Sequence, residues 1–137
     1  MVKVVVDTSV IIDHLRERSS HFLELEEKRL SGEVKIYVPY VVVVELYAGQ
    51  NAKQKKIRDL IGLALTDVEF IGLDFNSSKK AGEVIRNYSQ IPGSIDAMIA
   101  AIAIEHDAQV ATHNKKHFEQ IKGLRLYDFL ELKRTTN

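Results

Sequence analysis

The sequence contains no cysteine, and its positive and negative charges cancel. The absence of cysteine excludes disulfide bonds and thiolate metal sites, and it fits a reducing compartment. Because the chain has 19 basic and 19 acidic residues, any binding to nucleic acid must use local patches and not a generally basic surface. No apolar run reaches the ~18 residues that cross a bilayer, and no secretory pattern begins the chain. These absences predict a cytoplasmic protein that does not enter membranes.

The length and composition are those of one folded domain. The chain has 137 residues, of which 45% are hydrophobic and 28% are charged. These values are ordinary for a globular protein and argue against disorder. No internal repeat and no linker rich in Pro, Gly or Ser divides the chain. We therefore predict a single domain over residues 1–137.

Segments typical of strands and helices alternate along the chain. Strands are predicted at 2–6, 35–39, 68–73, 108–114 and 124–129. Helices are predicted at 19–31, 40–49, 53–65, 76–90 and 94–107, with a helical turn at 116–121. The predicted helix N-caps are Ser19 or Ser20, Asn76 or Ser77, and Ser94.

The segment YVVVVELYAG at 40–49 is ambiguous. Its valines favour a strand, whereas Pro39 before it and Gly49 at its end favour a helix, which we predict. The alternation then indicates an α/β protein with helices on both faces of a parallel sheet. In such sheets, functional sites lie beyond the carboxyl ends of the strands.

Three carboxylates interrupt or end apolar runs. Asp7 follows VKVVV, Glu45 lies within VVVVEL, and Asp96 is the only charged residue in 95–104. Each has an ordinary explanation. Asp7 can cap the helix that follows it, Asp96 can interact favourably with a helix dipole, and Glu45 can point to solvent.

A shared role for these carboxylates becomes the better explanation if all three meet at one edge of the sheet. Carboxylates about 5 Å apart repel by about 3 kcal/mol per pair at an effective dielectric constant of about 20. That is large beside the ~5–15 kcal/mol that stabilises a domain. Either some of them are protonated or a cation lies among them. All-oxygen ligation favours Mg²⁺, or alternatively Mn²⁺, over zinc.

Four segments in order resemble the PIN-domain family: DTSVIID at 7–13, ELYAG at 45–49, SIDAMIAAIA at 94–103 and ATHNKKHF at 111–118. Within that family the chain is most similar to VapC-type ribonuclease toxins of toxin–antitoxin pairs, over nearly its whole length. The resemblance implies a three-layer α/β/α fold around a parallel sheet of four or five strands. It also implies a magnesium-dependent endoribonuclease that acts on RNA, forms a homodimer and is silenced by a protein antitoxin.

The resemblance also implies roles for individual residues. Asp7, Glu45 and Asp96 would line the active site, and Asp7 and Asp96 would hold the metal. The polar residues that would support them are Thr8, Ser9 and Asn114.

The chain departs from the family pattern at His117, where many relatives carry a fourth acid. We therefore expect one firmly bound ion, with any second ion recruited by the substrate phosphate. A basic rim for RNA is predicted at Arg16, Lys115 and Lys116. His113 and His117 are four residues apart but are predicted on different elements, which argues against a zinc pair.

Other functions also use an aspartate at a strand end. A phosphatase that forms an aspartyl-phosphate on Asp7 typically needs a second aspartate where this chain has Ser9. A signalling receiver domain usually carries its phosphate acceptor after a later strand. The alternative from a different class is a non-catalytic PIN-like module that binds RNA or protein.

Overall fold

The computed structural model describes residues 1–89 and 93–129. Its strands are β1 Val2–Val6, β2 Val34–Pro39, β3 Glu69–Ile71, β4 Gln109–Ala111 and β5 Arg125–Leu126. Its helices are α1 Thr8–Leu15, α2 His21–Leu30, α3 Tyr40–Ala48, α4 Lys55–Ala64, α5 Phe75–Asn87, α6 Ser94–Glu105 and α7 Lys115–Phe118. A 3₁₀ turn at Gln50–Lys53 precedes α4.

The strands form one parallel sheet in the order β3-β2-β1-β4-β5. Strand β1 lies at its centre, and its residues Val4, Val5 and Val6 are completely buried between the flanking helices. The three-layer α/β/α fold and the parallel sheet predicted from the sequence are confirmed. Since all strands run the same way, their carboxyl ends meet at a single edge.

The valine-rich segment after β2 is helical, as predicted. Pro39 is extended and precedes the first turn of α3, where its lack of an N–H has no cost. Val42 and Leu46 are four residues apart and share the buried face. Burial of that face outweighs the strand propensity of the valines, and it fixes the direction of Glu45 on the same helix.

Two of the three predicted helix N-caps are wrong, those of α5 and α6. Helix α5 is capped by Asp74, whose carboxylate accepts the backbone N–H of Ser77 while the Ser77 hydroxyl accepts the Asp74 N–H. Helix α6 follows Gly93 as its N-cap, and not Ser94. At α2 the N-cap is Ser20, but its side chain makes no capping bond. The last residue predicted for the helix at 76–90 lies outside the described residues.

Helix α6 is apolar on nearly all sides and packs into the core, as its sequence predicts. Its residues Ala97, Ile99, Ala100 and Ala103 are completely buried. Small alanines let the helix approach the sheet closely, which holds its first turn at the carboxyl edge. In the described parts of the chain, every helix is too short or too polar to cross a membrane.

Candidate active site

A cavity of about 670 Å³ opens at the carboxyl edge of the sheet. Its walls contain Asp7, Glu45 and Asp96, which come from three separate segments of the chain. The predicted supporting residues line it as well: Thr8, Ser9 and Asn114. We call this space the acidic cavity. The six side chains proposed from the sequence are thus brought together.

Asp7 is held by three hydrogen bonds and is only 3% exposed. One oxygen, Oδ1, accepts the backbone N–H of Thr8 at 2.8 Å, so Asp7 is the N-cap of α1. The other, Oδ2, accepts the hydroxyls of Ser9 at 2.9 Å and Thr112 at 2.7 Å. The capping explanation of Asp7 is therefore correct, but it does not account for the two hydroxyls aimed at Oδ2.

Glu45 points into the acidic cavity and not away from it. The hydroxyl of Thr8 donates to its Oε1 at 2.5 Å. Thr8 therefore links α1 to α3, with its N–H on Asp7 and its hydroxyl on Glu45. The ordinary explanation of Glu45 as a solvent-directed side chain is wrong.

Asp96 lies in the first turn of α6 and contacts His117, whose Nδ1 is 3.2 Å from its Oδ2. Burial raises the pKa of Asp96, and the negative charges of Asp7 and Glu45 add to that effect, whereas His117 opposes it. The expected repulsion is therefore present at Asp96. His117, which replaces a fourth acid, takes part in the site through Asp96.

Thr112 was not recognised in the sequence, although it is 2% exposed and its hydroxyl bonds Asp7. That hydroxyl also accepts the backbone N–H of Asn114 at 2.9 Å. A usable signal was present: Thr112 follows β4 directly, just as Asp7 follows the neighbouring β1. The backbone continues that pairing, since the Asp7 N–H donates to the Ala111 carbonyl at 2.9 Å.

We expect Thr112→Val to destabilise the protein by about 1–3 kcal/mol, because the isosteric side chain leaves buried polar groups without partners. If the site has the ribonuclease activity and the metal ligand Asp7 that the family resemblance implies, RNA cleavage should fall about 10–100-fold, as when a group that orients a metal ligand is removed. Urea unfolding and a cleavage assay measure the two effects. Thr66→Val is the matched control, because the Thr66 side chain is exposed and bonds only its own helix. Equal effects in both variants would contradict the role of Thr112.

A second unrecognised group joins Asp13, His113 and His21. Asp13 Oδ2 is 2.5 Å from His113 Nδ1, and His113 Nε2 is 2.8 Å from His21 Nδ1. Both ring nitrogens of His113 are thus occupied inside the protein. Its backbone N–H donates to the Ser9 hydroxyl at 3.0 Å, so the group braces the hydroxyl that holds Asp7.

The predicted basic rim is divided between different places. Lys115 and Lys116 begin α7 and line a second cavity beside the acidic one. Arg16 follows the last turn of α1 and lines a third cavity, which has Ile12 and Glu45 in common with the acidic one. An eight-residue helix is about 12 Å long, so Arg16 is far from the capped end at Asp7. That Arg16 belongs to a basic rim that contacts RNA stays a prediction.

The donor set fits a hard cation in part. Asp7 Oδ2 has two hydroxyl partners, whereas Oδ1 has only the Thr8 N–H and keeps one acceptor position. Among the described residues, however, no three His, Asp or Glu side chains are close enough to surround one metal ion. The three carboxylates do not surround one ion, and Glu45 Oε1 accepts the Thr8 hydroxyl. Magnesium usually keeps several waters and needs only one or two carboxylates.

Comparison with known proteins gives matches over most of the chain. The PIN domain model matches residues 4–124. Ribonuclease VapC1 of Methanocaldococcus jannaschii is 33% identical in an alignment 136 residues long, which covers 92% of this chain and 88% of that protein. The tRNA(fMet)-specific endonuclease VapC of Shigella flexneri is 22% identical, over 94% of this chain and 99% of that protein.

Among solved structures, VapBC2 of Rickettsia felis bound to a DNA fragment from its promoter is similar in fold. The TM-score is 0.80 and the identity is 24%, over 93% of this chain and 98% of that chain. The likeness extends over almost the whole of both chains, so the layers and their order are shared.

Proposed function

This chain belongs to the PIN-domain family, and on that premise we propose that it is a magnesium-dependent endoribonuclease and the toxin of a VapBC-type toxin–antitoxin pair. The observation that carries the proposal is the meeting of Asp7, Glu45 and Asp96 in one cavity. Burial and the neighbouring negative charges raise the pKa of Asp96, which is costly to the fold, and a cationic ligand removes that cost.

Asp7 and Asp96 are the proposed metal ligands. The free acceptor position on Asp7 Oδ1 and the repulsion at Asp96 support this assignment. When bound, a divalent ion supplies positive charge that polarises the phosphate and makes nearby water more acidic. The Ser9 and Thr112 hydroxyls donate to Asp7 Oδ2 and thereby fix the orientation of its carboxylate. The Thr8 hydroxyl fixes Glu45, which is then available to position water or accept its proton.

RNA as the substrate and a protein antitoxin as the partner are supported by the relatives. One similar protein is named a ribonuclease and another a tRNA-specific endonuclease. The solved VapBC2 structure is that of a toxin–antitoxin complex bound to DNA. We propose an antitoxin that covers the acidic cavity, and a homodimer as the working form of the toxin.

The test is incubation of the purified protein with structured RNAs, in magnesium and in EDTA. We expect cleavage at defined positions in magnesium and none in EDTA, since removing the cation leaves the carboxylates without charge compensation. Binding of RNA without cleavage in any divalent metal would favour the non-catalytic PIN-like module. Growth arrest on expression, relieved by a small partner protein, tests the toxin assignment separately.

A further inference from the structure

A second cavity of about 540 Å³ adjoins the acidic cavity. The two cavities have His113, Asn114 and His117 in common, so they lie side by side along one groove. A space of this size is typical of a site for one small ligand or one unit of a longer one. We call it the basic cavity.

The sign of the charge reverses along this groove. The acidic cavity has four carboxylates in its walls, those of Asp7, Asp13, Glu45 and Asp96. The described residues that line the basic cavity include no Asp or Glu, and they include two lysines. A polymer with one phosphate per unit would place one phosphate near the carboxylates and any metal that they bind. Its next phosphate would lie near the two lysines.

The two lysines, Lys115 and Lys116, are exposed and unpaired. Within residues 1–89 and 93–129, neither has a carboxylate within salt-bridge distance. Lys55, in contrast, lies 2.8 Å from the carboxylate of Asp59. The net charge of the chain is zero, so attraction of phosphate must come from local positive groups. The two lysines beside the candidate site form such a group.

The walls of the basic cavity are rigid, and one polar group in them is unused. His21 stacks on Phe129 with ring centroids 4.0 Å apart, and both residues are buried. His113 is fixed through both ring nitrogens. In contrast, the side-chain amide of Asn114 has no hydrogen-bond partner in the part of the chain that the structure describes. It can donate and accept at the boundary between the two cavities.

We propose that the basic cavity binds the RNA nucleotide next to the phosphodiester that lies in the acidic cavity. Lys115 and Lys116 contact the phosphate of that nucleotide, and the Asn114 amide bonds its sugar or base. The identity of the ligand rests on the proposed ribonuclease function. A strand is favoured over a free anion because the two cavities adjoin, with His113, Asn114 and His117 lining both.

The test measures RNA binding in an Asp7→Asn background, in which cleavage does not interfere. The probe is a short single-stranded RNA of mixed sequence, together with a series in which one linkage at a time is a neutral methylphosphonate. Lys115→Ala/Lys116→Ala is compared with Lys79→Ala/Lys80→Ala, which makes the same charge change on α5, away from both cavities. Fluorescence anisotropy over a range of salt gives the affinity and its salt dependence.

We expect the Lys115/Lys116 variant to bind the RNA about tenfold more weakly, with a salt slope smaller by about 0.7 for each phosphate that the variant no longer binds. One neutral linkage in the RNA should weaken its binding to the Asp7→Asn parent and should not change its affinity for the Lys115/Lys116 variant. The Lys79/Lys80 control should match the parent throughout.

Equal weakening by both lysine pairs would overturn the proposal, and so would an equal effect of every neutral linkage in the parent and the variant. If a polyglutamate peptide depends on Lys115 and Lys116 while RNA does not, the surface belongs to a protein partner and the proposal also fails. The two proposals fail separately. If one neutral linkage weakens binding only when Lys115 and Lys116 are present, but the protein with Asp7 intact cleaves no RNA, the nucleotide site stands and the ribonuclease proposal fails. If that protein cleaves RNA and no linkage depends on the two lysines, the ribonuclease proposal stands and the nucleotide site fails.

Discussion

Asp7→Asn should lower the rate of RNA cleavage about a thousandfold while the protein stays folded. A divalent cation contributes several kcal/mol to lowering the barrier of phosphodiester hydrolysis, and removal of a charged ligand forfeits most of that contribution. The fold should survive because asparagine is as good an N-cap as aspartate. Its oxygen can keep the Thr8 N–H, and the Ser9 and Thr112 hydroxyls can rotate to accept from its amide.

The measurement is initial cleavage rate in magnesium, with circular dichroism to verify the fold. The matched control is Asp59→Asn, an exposed carboxylate on α4 that pairs only with Lys55. We expect this control to cleave at the parent rate, because surface ion pairs contribute little to a distant site. Undiminished cleavage by Asp7→Asn would mean that the activity belongs to a contaminating nuclease.

Asp96→Asn should also abolish cleavage, but its effect on stability should have the opposite sign to that of most buried substitutions. In the metal-free protein the negative charge of Asp96 is opposed by burial and by Asp7 and Glu45. Removal of that charge relieves the repulsion, while an amide can still bond His117. We therefore expect a melting temperature in EDTA that is equal to or above that of the parent.

Magnesium should reverse this order. Saturation of a site at about a hundred times its dissociation constant adds about 2.7 kcal/mol to the free energy of unfolding. The parent should gain this stabilisation, and Asp96→Asn should gain little of it. Thermal melting in EDTA and in a magnesium titration measures both effects.

A matched substitution is available at Asp107. Its side chain is 92% exposed, and its positive φ of 53° is a backbone conformation that asparagine tolerates. Asp107→Asn should respond to magnesium like the parent. If Asp96→Asn were as strongly stabilised by magnesium as this control, Asp96 would not be a metal ligand.

The sequence determined the architecture and the three acids by itself. Alternating segments with periods of two and 3.6 residues predict parallel strands joined by helices, and parallel strands bring their carboxyl ends to one edge. Asp7, Glu45 and Asp96 could be selected because each breaks an apolar pattern that is otherwise continuous. Local composition was less informative about boundaries. The cap of α5 is Asp74 and that of α6 is Gly93, because capping depends on how the backbone enters each helix.

The side chains that contact those acids from far away in the sequence could be identified only from the folded chain. Thr112 reaches Asp7 across 105 positions of sequence, and His113 reaches Asp13 across 100. The helical phase turned Glu45 toward Thr8 and placed Arg16 in a cavity that shares Glu45 with the acidic one. Such contacts depend on the distances and directions between packed elements. The periodicity of a single segment does not contain that information. The pattern of residues therefore specified the edge at which the acids meet, and packing specified how each acid is held there.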